Sequence, residues 1–199
     1  MMLKNISLII VLILFIGCSV KQPYITEYNM KIKEFPKNKI SKNCNNKTIK
    51  VLQAFSDNTL MSTNMNYVLG KYKQYSFSKS QWSIPVNQMV TLNITNMLNQ
   101  LDVFKSVQNY KSITKDDYIL QSNIIDFKQY FSEDSKSSYV KVTINISLID
   151  YNSNEVIHSK TFSSVINTET QDAYGGVKSF NKAFSEILED VAQWISVVC

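Results

Sequence analysis

The 199-residue chain contains no arginine; all 21 of its cations are lysines. Without guanidinium forks it has no bidentate reader of phosphate or of guanine edges, and no basic block replaces them. A nucleic-acid partner is therefore not expected. Glycine is scarce, with four residues in all, and no phosphate-cradling G-x-G-x-x-G or G-x-x-x-x-G-K loop can be drawn. Gly175-Gly176, just before the last helical segment, is at most a weak anion signal. The single histidine, His158, lies in "VIHSKTF" with no His or Cys at ligand spacing. Zinc takes three or four converging ligands, so His158 reads as a surface or edge residue, and no metal or cofactor is expected. The many serines include no G-x-S-x-G elbow. The acidic pairs Asp116-Asp117, Glu133-Asp134 and Glu189-Asp190 read as a loop, a turn and a solvated helix face. The expectation is a protein that is not an enzyme.

A membrane-spanning run is also missing. Crossing the hydrocarbon core takes about 20 apolar residues, and "ISLIIVLILFI" (6–16) has about half that. With Lys4 in front of it, the run has the proportions of a secretory signal. It ends in "FIGC", which resembles the lipobox of bacterial lipoproteins, with Phe15 in the usual leucine position and Cys18 as the acylated first residue of the mature chain. The alternative is an uncleaved N-terminal anchor. Acyl chains on Cys18, palmitate among them, each supply about 0.8 kcal/mol per buried methylene, and more than one chain holds stably. Ser19, not aspartate, follows the cysteine, which by analogy favours a periplasm-facing place on the outer membrane. The expected division is a signal peptide over 1–17, an acylated N-terminus, tether and edge segment over 18–46, and one domain over 47–199. Cys44 and Cys199 remain as an even pair in an oxidising compartment and read as one disulfide, the alternative being two free thiols. Closing so long a loop stabilises by on the order of 4 kcal/mol in the chain-entropy model.

Periodicity supplies the fold. "YITEYNMKIKE" pairs as an edge strand, and "TIKVLQAF" (48–55) is the first well-marked strand. "MNYVLGKYKQYSFS" reads as a hairpin around Gly70 and Lys71. Val86, Met89, Val90, Ile94, Met97, Leu98 and Leu101 form one apolar stripe, with Pro85 in the first turn and Ser83 as candidate cap. A short strand at 104–107 and a long one in "DYILQSNIIDFKQYF" follow. Val140, Val142, Ile144, Ile146 and Leu148 alternate with polar residues, as in an antiparallel strand with one wet side, and "VIHSKTFSSVI" returns beside it. Val177, Phe180, Phe184, Ile187, Leu188, Val191, Ile195 and Val198 mark a second helix. The predicted class is α/β (α+β): a mixed, mostly antiparallel sheet packed with two main amphipathic helices.

The feature left over is aromatic. Tyr67, Tyr72, Tyr75, Phe77 and Trp82 fall close together, flanked by Lys71, Lys73 and Lys79. Tyrosine and tryptophan favour interfaces because they bury area at low entropic cost while keeping a polar end. Trp82 suits the core better, yet it stays grouped with the three tyrosines as a candidate partner contact. Tyr67, Tyr72 and Tyr75 suit a partner-binding surface and core packing equally.

The stretch "NYVLGKYKQYSFSKSQWSIPVNQMVTLNITNMLNQLDVFKSV" resembles the ABC-type transport auxiliary lipoprotein component family, the PqiC-like lipoproteins. The likeness continues through "IIDFKQYF", "VTINISLIDYNSNEVIHSKTFSS" and "AFSEILEDVAQWI". Tyr67, Trp82, Pro85, Phe104, Phe127, Leu148, Phe162 and Trp194 occupy its marked positions; "WSIP" has one proline where two are frequent. The resemblance implies a non-catalytic outer-membrane lipoprotein of an envelope lipid-transport system. Its implied partners are a periplasmic MCE-domain protein and an inner-membrane ABC transporter, with a homo-oligomeric ring in some members. A structural or assembly lipoprotein of another outer-membrane complex is the alternative.

Overall fold

The computed structural model describes residues 24–32, 34–35 and 44–199. Cys18 and residues 1–17, expected from the sequence to be a signal peptide, lie outside the described residues. The elements are β1 (Thr26–Tyr28), β2 (Thr48–Val51), a short 3-10 turn (Asn58–Leu60), β3 (Asn64–Leu69), β4 (Lys73–Trp82), α1 (Val86–Leu101), β5 (Ser106–Asn109), β6 (Tyr118–Phe131), β7 (Ser138–Asp150), β8 (Val156–Asn167) and α2 (Ala173–Val198). Both helices cover one face of an eight-stranded mixed sheet.

The sheet forks at β6. One edge of β6 pairs antiparallel with β7 over its whole length, and β7 carries β8. Two parallel strands share the other edge. β2 pairs near its start, Val51 opposite Leu120, and β3 near its end, Leu69 opposite Phe131. β5 extends the first branch; β4 and then β1 extend the second. Most registered residue pairs are antiparallel because β6, β7 and β8 are long, whereas the parallel contacts are brief.

A bulge keeps the long β6 amphipathic. Leu120, Ser122 and Ile124 point to the helices on even numbers; after the irregularity between Ile124 and Asp126, Phe127, Gln129 and Phe131 do so on odd ones. The extra residue, Ile125, is exposed. Without the bulge, a period of two would turn the second half of the strand inside out. In β7 the inward set is the five aliphatic residues that alternation predicts, all buried. The opposite face carries a hydroxyl and amide ladder. Thr143 pairs with Ser163 (2.8 Å), Asn145 donates to Thr161 (3.0 Å), and Ser147 meets Ser159 (2.9 Å).

All seven apolar stripe residues of α1 are buried. Pro85 itself occupies the N-cap position, with no side-chain cap. Ser83 does not cap the helix as expected; its N–H donates to Tyr28 O (2.9 Å) and its hydroxyl bonds Asn29, which ties β1 to the end of β4. The predicted strand over 48–55 is interrupted after Val51; Phe55 rejoins β6 as a bridge opposite Asn123, and between them the chain bows toward α1. There the Ala54 N–H donates to the buried Thr91 hydroxyl (2.8 Å), which donates to Asn87 O (2.7 Å). The short strand expected at 104–107 falls instead at Ser106–Asn109, with Phe104 buried in the core ahead of it. Cys44 and Cys199 are joined as a disulfide, Cα atoms 5.6 Å apart, fastening the end of α2 to the segment before β2.

Candidate functional site

The residues singled out from the sequence separate into three places. Trp82 is 2% exposed and sits in the core, edge-on to Phe127 and Phe180 (centroids 6.1 and 5.6 Å), which stack on each other at 4.6 Å. Grouping Trp82 with partner contacts is therefore corrected: its ring closes the sheet–helix interface and presents no surface.

Tyr67 and Tyr75 do come together. They face each other across the hairpin, as register pairs Tyr67 with Tyr75, and their rings lie 5.6 Å apart. Tyr67 also meets Phe77 at 4.7 Å and Phe131 at 5.3 Å. Such tilted and edge-on pairs add about 0.5–1.5 kcal/mol beyond area burial. Tyr67 is half-buried at the centre of this shelf, and Tyr75 is 46% exposed at its rim. Within one cluster Tyr67 packs and Tyr75 is exposed. Beside the shelf, Tyr28, Phe77, Lys79, Ser80, Asp172 and Tyr174 line a groove of about 330 Å³. Lys178 lies 5.3 Å from the Tyr174 ring and 2.7 Å from Glu169.

Tyr72 belongs to neither group. It stands at the turn between β3 and β4, 91% exposed. Gly70 permits that turn, because its φ is +64°, a region that costs other residues conformational energy. Its N–H donates to Phe131 O (3.0 Å), so the hairpin tip is fixed to the end of β6.

The start of α2 is built for packing. Asp172 is the N-cap, and its carboxylate accepts the Gly175 N–H at 2.7 Å. That bond, followed by the Thr170 hydroxyl, holds the carboxyl below the usual range. A carboxylate already occupies the place where the glycine pair hinted at an anion. Gly176 instead lets the helix touch the sheet. A Cβ there would lie 2.2 Å from Gln129 Oε1, and Gln129 is wholly buried. Gln129 Nε2 donates to Ser138 Oγ (3.0 Å) and to Asp172 O (3.3 Å). Its inward placement becomes readable only once the bulge at Ile125 is counted.

Two acidic residues are less superficial than the sequence suggests. Asp116 is buried, with Lys50 Nζ at 3.3 Å. Asp117 accepts the Thr48 N–H (2.8 Å) and meets Lys47 Nζ (3.2 Å); the Thr48 N–H is the main cause that lowers its pKa. On the wet face, Tyr130 donates to Asp126 (2.7 Å) and stacks on Tyr139 at 5.2 Å, and burial followed by the Asp126 bond raises the phenol's pKa. Sequence reading missed this pair. His158 is exposed on β8. Among the described residues, no three His, Cys, Asp or Glu converge as a metal-ligand set.

Residues 36–192 match the pattern of the ABC-type transport auxiliary lipoprotein component family. The chain belongs to that family. Members of this family are named as auxiliary lipoprotein components of ABC-type transport. The fold is similar to that of protein XCC0632 from Xanthomonas campestris, with a TM-score of 0.78 at 14% identity, covering 87% of this chain and 95% of that one. It is also similar to the crystal structure of an uncharacterized protein, with a TM-score of 0.65 at 14% identity, covering 87% of this chain and 99% of that one. At such identity these likenesses speak for the fold alone. No curated protein matches the chain significantly. Among the described residues, no helix is long and apolar enough to cross a membrane.

Proposed function

We propose that this family member is the outer-membrane lipoprotein of an MCE-type envelope lipid-transport system, acylated at Cys18 and facing the periplasm. Its role is to dock the periplasmic MCE-domain protein that an inner-membrane ABC transporter serves, without covalent chemistry of its own. The family match over 36–192 carries this reading. The aromatic shelf supports the docking role. Tyr75 is exposed at the rim of the shelf, and the groove lined by Phe77 and Lys79 also carries the exposed Tyr174; amphipathic rings of this kind are enriched where proteins meet. β8 leaves one edge unpaired among the described residues, and such an edge can extend into a second chain, in keeping with assembly of copies into a ring.

The test is photo-crosslinking in native envelopes with a photoreactive phenylalanine at Tyr75. The expected product joins the chain to an MCE-domain protein. A product with the machinery of another outer-membrane complex would replace this reading by the assembly-lipoprotein alternative.

A further inference from the structure

β1 runs parallel to β4, with Thr26 opposite Ser80 and Tyr28 opposite Trp82. The upstream end of β1 therefore points toward the beginning of β4, which is the hairpin tip. Only eight Cα steps separate Thr26 from Cys18. Whatever path they take, they span at most about 28 Å at ~3.5 Å per residue. The start of β4 at Lys73 lies seven residues before Ser80, about 23 Å away at ~3.3 Å per residue, and Tyr72 is one step beyond. An acylated Cys18 can thus reach the level of the tip and only a few Å past it. The headgroup layer is itself about 5–7 Å deep on each side of the hydrocarbon. Acylation at Cys18 would thus keep the body close to the surface, and the direction of β1 favours the tip as the end that meets it.

The chemistry of the tip suits that position. Tyr72 projects almost fully into solvent between Lys71 and Lys73, and Tyr24 and Ile25, on the way to the anchor, are 96% and 55% exposed. Tyrosine settles at the headgroup level of bilayers, and lysine stems lie along apolar surface while their ammonium groups meet phosphate. Lys71, Tyr72, Lys73, Leu69 and Glu133 wall a notch of about 380 Å³ at this tip. The adjoining turn between β6 and β7 adds Glu133, Asp134 and Lys136, with Lys136 3.6 Å from Asp134. Charge at this end is close to balanced, so the contact is with the mixed interface and not with anionic lipid alone.

We propose that the β3–β4 tip is a membrane seat, with Lys71, Tyr72 and Lys73 resting among phospholipid headgroups of the bilayer that holds the acyl anchor. This inference rests on acylation at Cys18 and adds to it an orientation: tip against the lipid, disulfide end away from it. The aromatic shelf around Tyr75 then stands just above the surface, open to the side.

The test uses the full, acylated protein in vesicles of phosphatidylethanolamine and phosphatidylglycerol containing brominated lipids. Tyr72→Trp introduces an indole at the tip, and Ser153→Trp introduces one in the β7–β8 turn at the other end of the sheet; both are read against the unsubstituted protein. The expected result is loss of the added emission to bromine for Tyr72→Trp and none for Ser153→Trp. If mass analysis finds acyl chains on Cys18 and the protein floats with vesicles, but the Tyr72→Trp emission is unchanged, the seat is refuted and the anchor stands. Equal quenching of both variants refutes the orientation. Absence of acyl chains overturns the anchor and the seat together.

Discussion

Gly176→Ala sets two effects of opposite sign against each other. Alanine is favoured over glycine inside a helix by about 1 kcal/mol, so on propensity alone the variant would be more stable. Packing decides otherwise. The added Cβ would stand 2.2 Å from Gln129 Oε1 and 3.0 Å from its Cδ. The amide cannot swing aside freely, because it is wholly buried and its Nε2 is engaged by Ser138 Oγ and Asp172 O. Moving it gives up two hydrogen bonds worth roughly 1 kcal/mol each and leaves a buried donor unpaired. Lifting the helix costs about 1–3 kcal/mol of overpacking strain. With the propensity gain subtracted from the less costly relaxation, the net expectation is a loss of about 1 kcal/mol and at most about 2 kcal/mol, measured as a lower urea midpoint by tryptophan fluorescence with the slope unchanged. Gln129→Ala in the Gly176→Ala background should recover part of the loss, since contacting residues couple by about 0.5–3 kcal/mol. A Gly176→Ala protein as stable as its parent, or more so, would refute the close-approach argument.

Cys44→Ser with Cys199→Ser removes a crosslink spanning 155 residues. The chain-entropy model sets its contribution at about 4–5 kcal/mol, so a large drop in the thermal midpoint is expected, with reduction of the parent by dithiothreitol giving the same shift. Asp172→Ala removes the α2 cap and costs about 1 kcal/mol at neutral pH. The Asp172 carboxyl is held below its usual value of 3.8, so its contribution is complete above that pH and is lost as pH falls through the lower folded value. The gap between variant and parent, followed in urea melts across the acid range, should close below the usual carboxylate range; a gap independent of pH would contradict the cap.

The long periodic elements were legible because their burial is one-sided. The α1 stripe and the five alternating residues of β7 are each determined by a single face meeting the core. What escaped depends on contacts between distant segments. The bulge at Ile125 hides Gln129 from a strict period of two, and Asp116 resembles loop polarity until β2 brings Lys50 beside it. Gly175-Gly176 looked like a turn before a helix beginning near Val177, whereas the helix begins at Ala173 and takes both glycines into its first turns. Their small size answers to Thr170 and Gln129, which no local pattern names. The tyrosines were found as a cluster, but their division between shelf and tip follows from register, which composition does not carry.

That division traces back to β6. The strand holds β2 against its first half and β3 against its second, with the bulge between. Because the bulge restores inward facing after Ile125, Phe131 points to the helix side and meets Tyr67, whose partner Tyr75 is thereby carried to the same face. Pairing β3 one residue out of register would send Tyr67 and Phe77 to the wet face and strip Phe131 of its ring contacts. The same pairing sets how far the hairpin projects, since the Gly70 N–H closes on Phe131 O at the end of β6. Register at one short parallel contact therefore fixes both the aromatic shelf and the reach of the hairpin tip. Substitutions that loosen the bulge should disturb the two surfaces together, while substitutions at Tyr75 or Tyr72 should separate them.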